Sequence, residues 1–181
     1  MKYIYEEFLP RAHLDGIIIS ARWGPEDIQA AIQTAQAFLP YAGRVFLFGP
    51  LAKYDQALPR ILARATASGK SESKLAETHR RADPQEVDRT FSSALKDGPV
   101  EYVSVYRALC DPECELWAAK DVPLQFDAGH LTREGSIALA RKIGPQLFPK
   151  SSLPSAFRAM RQQEGRRLEA GGVSRAATGA P

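Results

Sequence analysis

The sequence predicts an α/β fold built on a parallel sheet. Two apolar runs, residues 17–19 and 45–48, are rich in β-branched and aromatic side chains and lack polar alternation, which is typical of strands buried on both faces. Between them, residues 25–39 place apolar side chains at helical spacing. Strand, helix and strand together occupy about 35 residues, the size of a right-handed βαβ unit. We therefore expect the two strands to pair in parallel.

The helices around these strands have recognisable boundaries. Residues 3–11 have the pattern of a helix that ends near Pro10. Pro25 suits the first turn of the next helix, and Glu26 and Asp27 are favourable there because they complement the helix dipole. Since proline cannot continue a helix, this one ends before Pro40.

The middle of the chain continues the alternation. Residues 59–67 favour a short helix, and residues 70–95 form a polar stretch of helical type that is broken near Asp83-Pro84. Residues 100–106 carry the β-branched and aromatic side chains of a third strand. The loop that follows, residues 107–131, spans about 25 residues, and unstructured loops of that length in a compact domain are usually functional.

A final helix is predicted to begin after Thr132, whose hydroxyl suits an N-cap. We expect residues 1–149 to form one domain and residues 150–181 a basic tail that is disordered or partly helical. The predicted apolar face of the final helix consists of Ile137, Leu139, Ala140, Ile143 and Leu147.

Composition limits the function classes. The chain has 181 residues and a net charge of +3, but the first 150 residues carry 19 basic and 19 acidic side chains, so the tail holds the excess. A neutral body argues against nucleic-acid binding by the folded domain. The apolar runs are far shorter than the roughly 20 residues that span a bilayer. Two carboxylates, Glu6 and Glu7, stand where a signal peptide needs an unbroken apolar stretch, so we expect no signal peptide and no export of the chain as written.

The most informative motif is Asp127 three positions before His130, at the entry to the final helix. In such a pair the carboxylate accepts the Nδ1 proton of the imidazole, which leaves Nε2 to act as a general base toward a nucleophile. The alternative is structural: Asp127 and Thr132 cap the helix, and His130 is an exposed residue of its first turn.

The surroundings of this pair resemble a known family. Residues 126–136, Phe-Asp-x-x-His-Leu-Thr-x-x-Gly-Ser, resemble the C-terminal catalytic block of SGNH (GDSL-type) hydrolases, specifically the SGNH domain joined to membrane-bound acyltransferase-3 proteins that O-acetylate bacterial surface glycans. Residues 17–23 look like the third core strand of that family with its Arg-Trp end, and residues 45–50 look like the next strand. The resemblance implies that Asp127 and His130 are members of a catalytic triad.

One departure from the family pattern is important. The nucleophilic serine of the family lies in a Gly-Asp-Ser block, and both this block and a second one with an oxyanion-hole glycine precede the strand matched by residues 17–20; neither is present here. Ser20, Ser104 and Ser136 do not match the nucleophile, and we expect them to be structural. The resemblance thus implies a three-layer, flavodoxin-like sheet that lacks its first strand or strands, from an N-terminally truncated domain.

A missing first strand would leave residues 17–19 at an open sheet edge. Such an edge invites pairing with another chain. We therefore expect self-association or poor solubility of the isolated chain, or pairing with a missing N-terminal segment.

Arg22 and Trp23 follow the first strand and are candidate substrate-binding residues. Trp23 would form a pocket wall, and Arg22 would offer a fork of donors to an acyl or sugar oxygen. The alternative is that Trp23 fills the core while Arg22 pairs with a carboxylate.

Cys110 and Cys114 are too few ligands for zinc, and the other histidines, His13 and His79, are far away in sequence. We expect His79 to be a solvent-facing helix residue. The resemblance implies a disulfide in this loop. The two cysteines would close a small loop in an oxidising compartment and stay reduced in the cytosol.

Taken together, the resemblance implies the C-terminal part of an SGNH-type carbohydrate O-acyltransferase or esterase with a Ser-His-Asp mechanism, acting on an acyl ester and a glycan without metal or organic cofactor. A periplasmic or inner-membrane location follows from the family, with membrane contact only through a fused acyltransferase-3 domain. The alternatives are a non-catalytic remnant that serves as a binding or assembly module, and an anion-binding protein that works through the arginine-rich tail.

Overall fold

The structure is a computed structural model, and it describes residues 3–12 and 14–149. His13 and the predicted tail, residues 150–181, lie outside the described residues. The chain divides into two compact units, residues 1–143 and residues 144–181. The sheet and the candidate site belong to the first unit.

A three-stranded parallel sheet forms the centre of the first unit. Its strands are β1 (Ile17–Ile19), β2 (Val45–Phe48) and β3 (Val100–Val103), in the order β1-β2-β3. Helix α1 (Ile28–Ala37) connects β1 to β2. The parallel βαβ unit and the α/β fold class predicted from the sequence are thus confirmed.

Further helices flank the sheet, and the chain starts with a π-helical turn, Ile4–Phe8, and a 3₁₀ turn, Leu9–Arg11. A short antiparallel hairpin lies between the fifth and sixth helices. Two more 3₁₀ turns, Pro25–Asp27 and Leu39–Tyr41, flank α1. The remaining elements are α2 (Leu58–Ser68), α3 (Glu72–His79), α4 (Asp83–Ala94), α5 (Val105–Leu109), β4 (Trp117–Ala119), β5 (Val122–Pro123) and α6 (Arg133–Leu147).

Two apolar clusters hold these elements together. One joins α1 and α4 to the sheet through alternate strand residues, because every second side chain of a strand points to the same face. Its fully buried members are Ala31, Ala35, Val45, Leu47, Val87, Phe91, Leu95 and Val100. The other cluster joins α2, α3, α5 and the hairpin, and consists of Tyr54, Leu58, Ile61, Leu62, Ala76, Val105, Leu109, Leu116 and Leu124.

Strand β1 differs from its prediction. The apolar run favoured a strand buried on both faces, but Ile18 is 52% exposed. The reason is its place in the sheet: β1 is the edge strand, and among the described residues only β2 pairs with it.

The predicted third strand is also too long. It ends at Val103 because Ser104 caps α5, with its hydroxyl oxygen accepting a hydrogen bond from the backbone N–H of Arg107 at 3.1 Å. Val105 and Tyr106 are buried within that helix instead of extending the strand. Composition alone favoured a strand here, and the cap overrides it.

The long loop predicted for residues 107–131 is not unstructured, since it contains the end of α5 and the β4–β5 hairpin. The final helix begins at Arg133 as predicted, but its apolar face is narrower: Ile137 and Ala140 are exposed. Among the described residues, no helix combines the length and apolarity needed to cross a membrane.

Candidate active site

A cleft of about 460 Å³ lies at the carboxyl ends of β1 and β2. Residues 20–23 line it directly after β1, residues 48–51 line it at the end of β2, and residues 127–130 contribute from the loop before α6. Open α/β sheets bind ligands at this edge. The fold therefore places the best sequence motif at the position where a site is expected.

Asp127 and His130 form a hydrogen-bonded pair at the cleft. The Nδ1 atom of His130 lies 2.7 Å from Oδ2 of Asp127. The other carboxylate oxygen, Oδ1, accepts the backbone N–H groups of Gly129 at 2.8 Å and of His130 at 2.7 Å. The hydrogen bond from the backbone N–H of Gly129 contributes most to lowering the pKa of Asp127 below its usual range, and the hydrogen bonds from His130 lower this pKa further. Asp127 is thus kept ionised and orients the imidazole.

The second imidazole nitrogen of His130, Nε2, has no hydrogen-bond partner among the described residues. The side chain is 75% exposed, and within residues 3–12 and 14–149 no group hydrogen-bonds Nε2. The ring of Phe126 stacks on the imidazole with a centroid distance of 5.8 Å. Since Nδ1 faces the carboxylate, Nε2 is the atom that can take a proton from a nucleophile.

Backbone hydrogen bonds fix the loop that carries this pair. The N–H of Phe126 donates to the carbonyl of His130 at 3.0 Å, which closes the loop on itself. From the segment after β2, the N–H of Tyr54 donates to the backbone carbonyl of Ala128 at 2.9 Å. The N–H of Leu58 donates to the backbone carbonyl of Asp127 at 3.1 Å. The pair is therefore attached to the sheet through residues distant in sequence.

The hydrogen bonds at the start of α6 test the alternative that Asp127 and Thr132 both cap this helix. Thr132 is the cap, because its hydroxyl oxygen accepts the N–H of Gly135 at 3.0 Å, while the hydroxyl donates to the carbonyl of Pro123 at 2.9 Å. Asp127 takes no part in this cap, since the donors to its carboxylate come from its own loop. His130 is exposed, as the alternative expected, but it precedes the helix.

Arg22 and Trp23 both line the cleft. Trp23 also packs into the core: its indole N–H donates to the carbonyl of Phe48 at 2.8 Å, and its ring meets Phe91 edge to face at 6.0 Å. Its wall and core roles therefore coincide. Arg22 is exposed, and among the described residues it makes no ion pair, so the alternative of a carboxylate partner is wrong within that part of the chain.

Two cationic residues that line the cleft, Lys53 and Arg81, were not predicted from the sequence to belong to the site. Lys53 is half-buried, and its pKa is lowered, chiefly by burial and next by the charge of Arg22. Arg81 also lines the cleft and pairs with Asp83 at 3.0 Å. The position of Lys53 shortly after the second strand was an available signal, because such positions face the ligand edge of the sheet. Arg81 carried no local signal.

Two of the three candidate serines are engaged elsewhere. The hydroxyl of Ser104 donates to Oδ1 of Asp88 at 2.6 Å, and the phenol of Tyr102 donates to the same oxygen at 2.7 Å. Burial, aided by that bond, raises the pKa of Tyr102. The hydroxyl of Ser136 donates to the carbonyl of Thr132 at 3.0 Å. These serines serve the fold, whereas Ser20 lines the cleft.

The cysteines and the second histidine lie outside the cleft. In the structure, Cys110 and Cys114 are joined by a disulfide. The expectation that His79 faces solvent is wrong: its side chain is 16% exposed, and its Nδ1 lies 2.8 Å from Oδ1 of Asp55. Within the described part of the chain, no three side chains of His, Cys, Asp or Glu are grouped so that they could hold a metal ion.

The parallel sheet, with an Asp-His pair beside the carboxyl ends of its strands, defines an α/β domain with a candidate acid-base site. The family model described as "SGNH domain (fused to AT3 domains)" matches residues 4–145, and the chain belongs to that family.

A solved structure has the same fold. It is the periplasmic domain of a lipopolysaccharide acetyltransferase from Salmonella ser. Paratyphi A, with a TM-score of 0.62 and 24% sequence identity. The match covers 74% of this chain and 57% of that domain, so the chain spans little more than half the length of this neighbour. A comparison with curated proteins found no match.

Proposed function

We propose that this chain is the C-terminal part of an SGNH-type carbohydrate O-acyltransferase or esterase. The observation that carries the proposal is the Asp127–His130 pair, whose geometry leaves Nε2 unpartnered among the described residues at the mouth of a cleft. Family membership supports an acyl-transfer domain. The description of the structural neighbour as a lipopolysaccharide acetyltransferase supports a glycan as the acceptor.

The reaction follows from the pair. A serine hydroxyl attacks the carbonyl carbon of an acyl ester while Nε2 of His130 accepts its proton. The imidazolium then donates that proton to the departing alkoxide, and an acyl-enzyme remains. A sugar hydroxyl, or water, attacks the acyl-enzyme with His130 again as base, and the serine is regenerated. Asp127 remains ionised throughout and stabilises the imidazolium.

The nucleophile is the part that this chain does not supply in our proposal. The hydroxyl of Ser104 donates a hydrogen bond to Asp88, and that of Ser136 donates to the carbonyl of Thr132. Within the described residues, no serine forms a hydrogen bond with the imidazole of His130. A serine from a preceding segment or from a separate chain would complete the triad. No metal or organic cofactor enters this mechanism.

The cleft offers groups for the substrate. We assign Trp23 as an apolar wall, held in place by its bond to the carbonyl of Phe48. Arg22 would donate hydrogen bonds to an acyl or sugar oxygen, because its guanidinium has no ion-pair partner among the described residues.

The test is acyl-ester turnover by the protein that contains this chain, expressed from its complete reading frame. We expect His130→Ala to abolish hydrolysis of 4-nitrophenyl acetate. The matched control is His79→Ala, which removes the other aspartate-paired histidine and leaves turnover intact. Equal turnover by the His130→Ala variant and the parent contradicts the proposal. Absence of turnover from both leaves a binding or assembly module as the function.

A further inference from the structure

The cleft carries an excess of positive charge. Arg22, Lys53 and Arg81 line it, and Asp127 is the one carboxylate among its described lining residues. Asp127 is committed to its own loop through three hydrogen bonds. Its charge therefore serves His130 and is not directed at the cations.

The carboxylates near these cations are also engaged. Asp27 accepts the backbone N–H of Gly24 at 2.8 Å. Asp83 accepts from Nε of Arg81 at 3.0 Å. Within the described part of the chain, neither Arg22 nor Lys53 makes a hydrogen bond or an ion pair through its charged group. These two cations thus have no direct hydrogen-bond or ion-pair partner among the described residues, although the charges of Asp83 and Asp27 also act on Lys53 and favour its protonated form.

Lys53 is held against the loop of residues 126–130, which carries the proposed base. Its carbonyl accepts the N–H of Arg81 at 2.9 Å, and the next residue, Tyr54, donates its N–H to Ala128 at 2.9 Å. Its Cγ atom would lie 3.6 Å from a Cβ placed on Gly129, so the aliphatic stem runs beside the residue that directly precedes His130. Backbone contacts therefore fix the start of the Lys53 side chain beside the loop that carries the proposed base.

Such a lysine is unfavourable without a ligand. Burial and the charge of Arg22 both disfavour its protonated form and lower its pKa. Perturbed cations in a cleft are typical of binding sites, because a bound anion relieves both effects. Lysine contributes a point charge, and arginine adds a planar pair of donors that matches a carboxylate or phosphate.

We propose that the substrate of this cleft carries an anionic group, a carboxylate or a phosphate, which Lys53 and Arg22 bind next to His130. This inference rests on the proposed function and narrows its glycan to a negatively charged one. It also gives Arg22 a more specific role than binding a neutral acyl or sugar oxygen.

Binding measurements test the inference without any need for turnover. Dissociation constants of D-glucuronate, D-glucose 6-phosphate and neutral D-glucose are measured by NMR titration, at one low ionic strength, on the protein expressed from its complete reading frame. The glucuronate and phosphate arms separate the two anion chemistries. We expect at least one anionic sugar to bind about tenfold or more tightly than glucose, the equivalent of about 1.4 kcal/mol.

Matched variants locate the effect. Lys53→Met keeps the stem that lies against Gly129 and removes the charge, and Arg22→Gln keeps a polar side chain; each should reduce the preference for the anion to the level of glucose. Lys120→Met, on the exposed turn of the β4–β5 hairpin, is the control and should retain the preference.

Two results overturn the inference: equal or undetectable binding of charged and neutral sugars by the parent protein, or a preference that persists when Lys53 and Arg22 are both replaced. Failure of the acyl-transfer proposal is read separately, from ester turnover of the His130→Ala variant.

Discussion

Asp127 and His130 are joined twice, once through the side chain and once through the backbone. Oδ2 of the carboxylate meets the imidazole Nδ1 at 2.7 Å, and Oδ1 accepts the backbone N–H of His130, also at 2.7 Å. One carboxylate therefore fixes both the fold of the loop and the direction of the ring. A three-residue spacing allows this because the chain turns back on itself between the two residues.

Replacing Asp127 by Asn should lower kcat for acyl-ester turnover by roughly 10³- to 10⁴-fold in the protein expressed from its complete reading frame, because an amide cannot stabilise the imidazolium and favours the wrong tautomer. Steady-state kinetics with 4-nitrophenyl acetate measure this loss. Asp121→Asn, at the exposed turn of the hairpin, is the control and should keep the parental rate. A comparable loss in both variants would assign Asp127 no special role.

The loop of residues 126–130 should be stable to acid. The hydrogen bonds from Gly129 and His130 place the pKa of the Asp127 carboxyl below the value of about 3.9 of a free side chain. The unfolded loop therefore binds the proton more readily than the folded one, so the stabilisation is present above that free value and is lost as pH falls through the lowered pKa. The amide proton shifts of Gly129 and His130 should report this transition. A midpoint at or above the free value would contradict the geometry.

Gly135 should tolerate no side chain. A Cβ at this position would collide with the carbonyl oxygen of Leu124, where α6 approaches the segment that leads into the loop of residues 126–130. We expect Gly135→Ala to lower the free energy of unfolding by about 1–3 kcal/mol in urea denaturation.

The control for that substitution is Gly144→Ala. A Cβ on this helical glycine meets no described atom within 4 Å. Helix propensity favours Ala over Gly, but the ring of Pro145 disfavours the helical backbone of a preceding residue with a Cβ, so we expect a smaller change in the free energy of unfolding than for Gly135→Ala. A neutral effect at Gly135 would show that the close approach to Leu124 does not exist.

The isolated chain of 181 residues should self-associate. Strand β1 is the edge of the described sheet, and Ile18 exposes 52% of its surface there. Unpaired edges of apolar strands promote association. Sedimentation velocity should detect oligomers that Ile18→Lys reduces, whereas Ile137→Lys, at an exposed residue of α6, should not reduce them. A monodisperse parent monomer would contradict this expectation.

Local patterns were sufficient for much of the fold. The βαβ unit of residues 17–48 could be predicted because an apolar run and helical spacing are properties of neighbouring residues. The exposure of Ile18 could not, because a strand becomes an edge strand through what pairs with it. Val105 and Tyr106 were assigned to a strand because their side chains favour one, and residues 107–109 were assigned to a loop, whereas the hydroxyl of Ser104 caps a helix over Val105–Leu109.

The same distinction applies to the site. Asp127 and His130 were predictable because one short loop supplies both. Lys53 was missed although its place shortly after the second strand indicates the ligand edge of the sheet, because that place does not show which later segment it meets. Hydrogen bonds join the segment after β2 to Ala128 and Asp127 in the loop before α6. Such pairings are decided by the folded sheet and leave no local trace in the sequence.

The most direct test of the central claim, that Nε2 of His130 is the general base of a serine-dependent acyl transfer, is chemical rescue. Turnover of 4-nitrophenyl acetate is measured for the His130→Ala variant of the protein expressed from its complete reading frame, with and without added imidazole, after subtraction of the rate with imidazole alone. The account predicts a loss on the order of 10⁴-fold or more that imidazole partly restores. An unchanged rate in the variant without imidazole would contradict it.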